Sequence, residues 1–277
     1  MLRYFDPQEL ITPGIITRFG CIPTWGAYQI VKHHARDFDV NYSINDMGFR
    51  DRRHPIGSVP GVKRIAVMGS SYVFGMGVED DQVFTSLIED GLNNSEVLNF
   101  GVVGSGLSVH SYLYRTVARQ YNPDVVLLHI HFNGRDDMLH ADLTPVVGKP
   151  DPMTERTRLL LRAIPGYYWL GERSHLLARE RKSGHGVAID PVPVDQTRKE
   201  LAYADVIIAF ADMVRSDGRK FIILYEDAVV RGLPVVAEVV RRYGVGVVLD
   251  AGDRFAGDSH WSSSGHLKVA GKIIEVL

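Results

Sequence analysis

The run Val125-Val126-Leu127-Leu128, within the segment 124–130, most restricts the folds open to this chain of 277 residues. Four consecutive apolar side chains point to both sides of a strand, so neither face of that strand can lie in water. A strand covered on both faces belongs to a parallel sheet flanked by helices. The chain from Lys63 onward agrees with this. Short apolar runs at Ile65-Ala66-Val67-Met68, at Val97-Leu98-Asn99-Phe100, over 221–224 and over 245–249 alternate with stretches of helical periodicity. The helices are predicted over about 80–92, 108–120, 197–215, 234–242 and 263–276. Five strands alternating with helices predict an α/β fold built on a five-stranded parallel sheet with right-handed crossovers.

The remaining segments read as additions to that core. Prolines at 7, 13, 23, 55 and 60 punctuate residues 1–62, which match no regular pattern and are expected to form an extension packed on a core domain, 63–277. A segment of about 134–196 breaks the strand–helix rhythm and is long for a connection, as lids and binding loops are. It contains Arg135-Asp136-Asp137, read as a solvated turn, and the aromatic run Tyr167-Tyr168-Trp169.

Composition narrows the function. A net charge of −2 and a pI near 6.6 offer no electrostatic footprint for nucleic acid. The single cysteine, Cys21, excludes an intrachain disulfide and fits a reducing compartment. Residues 1–7 lack the apolar core of a signal peptide, and no run approaches the roughly 18 apolar residues that cross a bilayer. A cytoplasmic protein without stable membrane insertion is expected.

In an open parallel sheet the carboxyl ends of the strands share one edge, where ligands bind. That edge brings together Ser71 after the first strand, Gly104 after the second, Asn133 after the third and Asp258-Ser259-His260 after the fifth. A hydroxyl, a base, a carboxylate to orient the base and N–H donors are the parts of an acyl-transfer site. Each residue also has a plainer reading. Ser71 suits a helix N-cap, Asn133 a turn, and Gly101, Gly104 and Gly106 a tight strand-to-helix connection.

Taken together, the blocks resemble a known family. Gly69-Ser70-Ser71 with Phe74-Gly75, Asn99-Phe100-Gly101-Val102-Val103-Gly104, Phe132-Asn133, and Asp258-Ser259-His260 with Gly265 resemble, in order, four sequence blocks of the SGNH (GDSL-like) hydrolases. The earlier Asn45-Asp46-Met47-Gly48-Phe49-Arg50 is similar to a segment that often precedes the first block in bacterial members. The resemblance implies a three-layer α/β/α flavodoxin-like fold. It also implies Ser71 as nucleophile, His260 as base and Asp258 as its orienter, with the N–H groups of Ser71 and Gly104 and the Asn133 amide holding an oxyanion. Two departures stand out. Ser70 replaces the acidic residue usual before the nucleophile, and the acid and histidine follow Asp-x-His spacing instead of Asp-x-x-His, a spacing found among sugar O-acetyltransferase relatives.

Other histidines and acids compete for these roles. His266 is expected at the surface or as a capping group in the last helix. Asp253 is an alternative orienter. His129 and His131 are expected to face opposite sides of the sheet, which would deny them a shared ion, so no metal and no cofactor are expected. Three functions remain open: a serine esterase or deacylase acting on a small-molecule or carbohydrate ester, an O-acetyl group included; an O-acyltransferase to a sugar or other hydroxyl acceptor; and a non-catalytic binding module, which Ser70 favours.

Overall fold

The structure, a computed structural model, describes residues 10–11, 16–19, 22–131 and 196–277. The chain divides into two compact units, one of residues 1–145 with 196–277 and one of residues 146–195. Everything below concerns the first. Asn133, Arg135-Asp136-Asp137, the aromatic run 167–169 and the long segment 134–195 lie outside the described residues.

Among the described residues, five short strands precede the core: β1 (Leu10–Ile11), β2 (Ile16–Phe19), β3 (Ile22–Trp25), β4 (Ile30–Ala35) and β5 (Phe38–Ser43). β2 pairs with β3, and β4 lies between β1 and β5, all antiparallel. Strands thus form in residues 1–62, where the sequence matches no regular pattern. The strands were hidden because the inward side of the β4–β5 pair is not uniformly apolar. Val31, Val40 and Tyr42 are buried with His33, and a 2.7 Å hydrogen bond joins His33 Nδ1 to the Tyr42 hydroxyl. That bond satisfies polar atoms that burial would otherwise leave at a cost.

The core follows the sequence expectation closely. β6 (Lys63–Gly69), β7 (Ser95–Gly101), β8 (Val125–Ile130), β9 (Lys220–Glu226) and β10 (Gly244–Val247) form one parallel sheet in the order β10-β9-β8-β6-β7. In order of appearance this is the flavodoxin-like 2-1-3-4-5 arrangement, whose topological switch point lies between the first and third strands. β8 is the central strand, and β6 lies beside it in register at Val67 and Leu127. β8 is buried along its whole length.

The helices are α1 (Ser71–Phe74), α2 (Phe84–Gly91), α3 (Leu107–Thr116), α4 (Gln196–Ser216), α5 (Asp227–Val230), α6 (Pro234–Tyr243) and α7 (Ser263–Ile274). Because side chains alternate along a strand, the sheet has two apolar faces. Ala66, Met68, Val126 and Leu128 pack with Leu113 of α3, Ile207 and Phe210 of α4, and Val236 and Val240 of α6. Ile65, Val67, Val125 and Leu127 pack with Phe84 and Ile88 of α2 and Val269 and Ile273 of α7. The result is a three-layer α/β/α fold. Each fully buried aliphatic or aromatic side chain contributes about 1.5–3 kcal/mol, so the two clusters dominate its stability. Among the described residues no helix is long and apolar enough to cross a membrane.

Candidate active site

Ser71 lies where β6 ends and α1 begins. Two glycines make this junction possible. A Cβ on Gly69 would come within 2.3 Å of Val73 Cγ2, and one on Gly101 within 2.2 Å of the Phe74 nitrogen. α1 therefore crosses the end of β7 at a distance no side chain would permit. Val102 N–H donates to Gly69 O at 2.9 Å and ties the two strand ends together.

Ser71 is the first residue of α1, and Ser70 holds the N-cap position without making a side-chain cap bond. The capping reading thus fits neither hydroxyl. Ser71 Oγ instead lies 2.7 Å from His260 Nε2, and His260 Nδ1 lies 2.5 Å from Asp258 Oδ1. This geometry assigns the proton on Nδ1 to the bond with Asp258 and leaves Nε2 to accept from the Ser71 hydroxyl. Asp258 Oδ1 also accepts from the backbone N–H of His260 at 2.9 Å.

The loop carrying this pair is fastened from several sides. Arg254 and Trp261 form an antiparallel bridge across its base, and Phe255 N–H donates to His260 O at 3.1 Å. Glu226, buried at the carboxyl end of β9, accepts from Trp261 Nε1 at 3.0 Å and from the Arg254 guanidinium. Arg254 Nη1 donates to Ser259 O at 2.5 Å, and the Tyr72 hydroxyl donates to the same carbonyl at 3.1 Å. The Tyr72 ring packs against His260 at 4.9 Å between centroids, and burial raises its pKa above the ordinary phenol value.

The other sequence candidates are arranged as follows. Gly104 follows β7 with φ +72° and is exposed, and among the described residues no group accepts from its N–H or from that of Ser71. Asn133 is not among the described residues. Asp253 accepts from Lys268 Nζ at 2.6 Å, from Asp250 N–H at 2.8 Å and from Ser264 Oγ at 3.2 Å, which ties it to the start of α7 instead of to His260. His266 is buried, which corrects its expected surface position, and its capping role takes an unforeseen form. His266 Nδ1 accepts from Phe84 N–H at 3.2 Å, so a side chain of α7 caps the first turn of α2. Burial, with the charge of Arg50 and then His260 nearby, pushes the His266 pKa down to about 3.

His129 and His131 do not face opposite sides. Their rings stack at 6.2 Å, and both flank Tyr72, at 5.4 and 4.2 Å. Residues two apart along an extended chain share a side, which is the physical reason for the correction. Among the described residues no three His, Cys, Asp or Glu side chains are grouped to hold a metal ion.

Three supporting side chains were assigned no role by the sequence. Asn99 Nδ2 donates to Val73 O at 2.8 Å while its Oδ1 accepts from Gly101 N–H at 2.9 Å, so it binds α1 to the end of β7. Arg50 and Glu226 hold the nucleophile turn and the Asp258–His260 loop. Glu226 left a readable signal, since it is an acid following five apolar residues at the same sheet edge as Ser71. Ser70 Oγ, where an acid was expected, is buried and has no partner among the described residues, while Asn99 and Arg50 brace the turn.

No family model matches the chain, and no curated protein sequence does. Among solved structures, it is similar to a member of the lipolytic protein G-D-S-L family from Veillonella parvula, with 14% identity over 78% of this chain and 98% of that one, at a TM-score of 0.46. It is also similar to a GDSL-like lipase from Bacteroides thetaiotaomicron, with 12% identity over 79% of this chain and 89% of that one, at a TM-score of 0.44. A third similar structure is the psychrotrophic esterase EstA from Pseudoalteromonas inhibited by monoethylphosphonate, with 8% identity over 77% of this chain and 95% of that one, at a TM-score of 0.45.

Proposed function

We propose that this chain is a serine ester hydrolase of the SGNH type that acts on a small-molecule or carbohydrate ester through an acyl-enzyme on Ser71. The observation that carries the reading is the continuous relay from Ser71 Oγ to His260 Nε2 at 2.7 Å and from His260 Nδ1 to Asp258 Oδ1 at 2.5 Å. A hydroxyl bonded to a base that is itself oriented by a carboxylate is the arrangement that activates a serine nucleophile.

In this mechanism Ser71 Oγ attacks the ester carbonyl as its proton passes to His260 Nε2. The developing imidazolium is stabilised by Asp258. The N–H groups of Ser71 and Gly104, with the Asn133 amide, receive the negative charge on the carbonyl oxygen. The tetrahedral intermediate collapses as His260 returns the proton to the departing alkoxide. Water, deprotonated by the same imidazole, then attacks the acyl-enzyme, and its collapse releases the acid and restores the Ser71 hydroxyl.

The test is hydrolysis of p-nitrophenyl acetate together with labelling by a fluorophosphonate, followed by mass analysis of the peptide containing residue 71. The wild type is expected to hydrolyse the ester and to carry the label on Ser71. Ser71→Ala is expected to lose about 10³-fold or more in kcat and all of the label. Equal labelling of the alanine variant would overturn the assignment.

A further inference from the structure

We propose that Arg50 is a positioning residue for the nucleophile, its guanidinium holding α1 from below so that the Ser71 hydroxyl stays on the line to His260. This rests on the hydrolase reading above and adds to it a function for the segment 45–50, which that reading leaves without one.

The physical problem is the length of α1. A helix of four residues is far too short to be stable alone, and the carbonyls at its C-terminal end have no partners within it. Arg50 supplies partners for Phe74 O and for the C-cap carbonyl of Gly75, beside the Asn99 bond to Val73 O. Nη1 donates to Phe74 O at 3.3 Å and to Gly75 O at 2.5 Å, Nη2 donates to Val78 O at 2.7 Å, and Nε donates to Asp80 Oδ1 at 2.7 Å. The side chain is only 2% exposed and lies over the Tyr42 ring at 4.3 Å. A buried cation at a helix C-terminus is favoured by the helix dipole, and hydrogen bonds from a charged donor are roughly twice as strong as neutral ones.

The restraint reaches Ser71 in two steps. Arg50 grips Gly75 O, and Gly75 N–H in turn donates to Ser71 O at 3.0 Å, with Met76 N–H on the same carbonyl at 3.1 Å. Gly75 itself has φ +81°, which turns the chain back toward the guanidinium. The turn at 45–50 aims the arginine. Asn45 Oδ1 accepts from Met47 N–H at 3.0 Å and from Phe49 N–H at 3.1 Å, and Arg50 bridges to Ile44. A lysine could not replace this fork, because its single ammonium cannot reach three carbonyls and a carboxylate lying in different directions.

A residue that only stabilised the fold would change the folded fraction and leave turnover by folded molecules alone. A positioning residue lowers kcat at constant KM, because misplacing a reacting atom by about 1 Å costs on the order of 10²-fold. The test compares wild type, Arg50→Lys and Asp80→Asn at a temperature where circular dichroism shows each folded. It reads p-nitrophenyl acetate kinetics and the limiting rate of fluorophosphonate labelling. Arg50→Lys is expected to lose about 10- to 100-fold in kcat and in labelling rate with KM changed less than about threefold. An unaltered kcat in folded Arg50→Lys overturns the proposal. Should Arg50→Lys fail to fold, Asp80→Asn decides. It removes the carboxylate on Nε and leaves the carbonyl contacts, so a fall of about threefold in kcat at constant KM is expected, and unchanged kcat overturns the proposal. Labelling of wild-type Ser71 tests the hydrolase reading separately, which keeps the two failures apart.

Discussion

Replacing His266 with asparagine should remove about 2 kcal/mol of the stability that this fold loses between pH 8 and pH 5. His266 is held neutral, its pKa pushed down to about 3 by burial and by Arg50 and His260, against an ordinary value near 6.5. Well above pH 6.5 neither the folded nor the unfolded chain protonates it, and its contribution is intact. Below that the unfolded chain takes up a proton and the folded one does not, so stability falls with pH until the folded pKa is reached. Each such histidine removes about 1.4 kcal/mol per pH unit in that window, or about 2 kcal/mol between pH 8 and pH 5. His110, pushed down to about 4 by burial, adds a similar loss over the same range, and His129 lies well below its ordinary value for the same reason. Against a total stability of about 5–15 kcal/mol these losses are large. Asparagine places Oδ1 near the position of Nδ1, where it can accept from Phe84 N–H, and it does not titrate. The variant should be about 1–2 kcal/mol less stable at pH 8, through lost packing on Phe84 and Trp261, yet lose about 2 kcal/mol less than wild type on going to pH 5. Urea unfolding followed by tryptophan fluorescence at the two pH values measures this. An identical pH dependence in the two proteins, or an NMR titration of folded His266 centred near 6.5, would refute the reasoning.

Three further outcomes are expected. Glu226→Gln turns an amide toward Arg254 where a carboxylate stood, and should cost about 2 kcal/mol in urea unfolding, because the arginine is left unpaired. Gly101→Ala drives a methyl into the backbone of Phe74, 2.2 Å from its nitrogen, and should cost more than about 3 kcal/mol in the same assay; a shift below 1 kcal/mol would contradict the close approach. Asp258→Asn should lower kcat on p-nitrophenyl acetate by about 10²- to 10⁴-fold with an unchanged thermal midpoint, since it removes the charge that orients and stabilises His260 but leaves the loop's backbone bonds.

What the chain discloses in one dimension follows the range of the interactions involved. β8 and the strands beside it are legible because burial on both faces writes itself into consecutive residues, and the site edge follows from where those strands stop. The β4–β5 pair was not legible. Its inward face includes His33, whose burial depends on a hydroxyl nine residues away, so the apolar alternation that marks a strand is broken. The work of Asn99 and Arg50 is written in no local pattern at all. Apart from the Asn99 bonds to Gly101 N–H and to Thr85, their partners lie 24 to 30 residues away and are mostly backbone carbonyls, which any sequence supplies. His266 reads as a polar residue in the first turn of a helix, and its burial becomes visible only once Phe84 and Trp261 are set against it.

The two-residue spacing of Asp258 and His260 has a mechanical consequence. Because one carboxylate oxygen takes both the backbone N–H and the ring N–H of His260, acid and base close a small ring and move as a single lever. The joint between that lever and the serine is the Ser71–His260 contact, which spans 189 positions of sequence. Breathing of the sheet therefore cannot separate acid from base; it can only open or shut one gap. Disturbances from the β6 side and from the β9 side arrive at the same coordinate, so variants on opposite flanks should show non-additive effects on turnover while adding normally in stability.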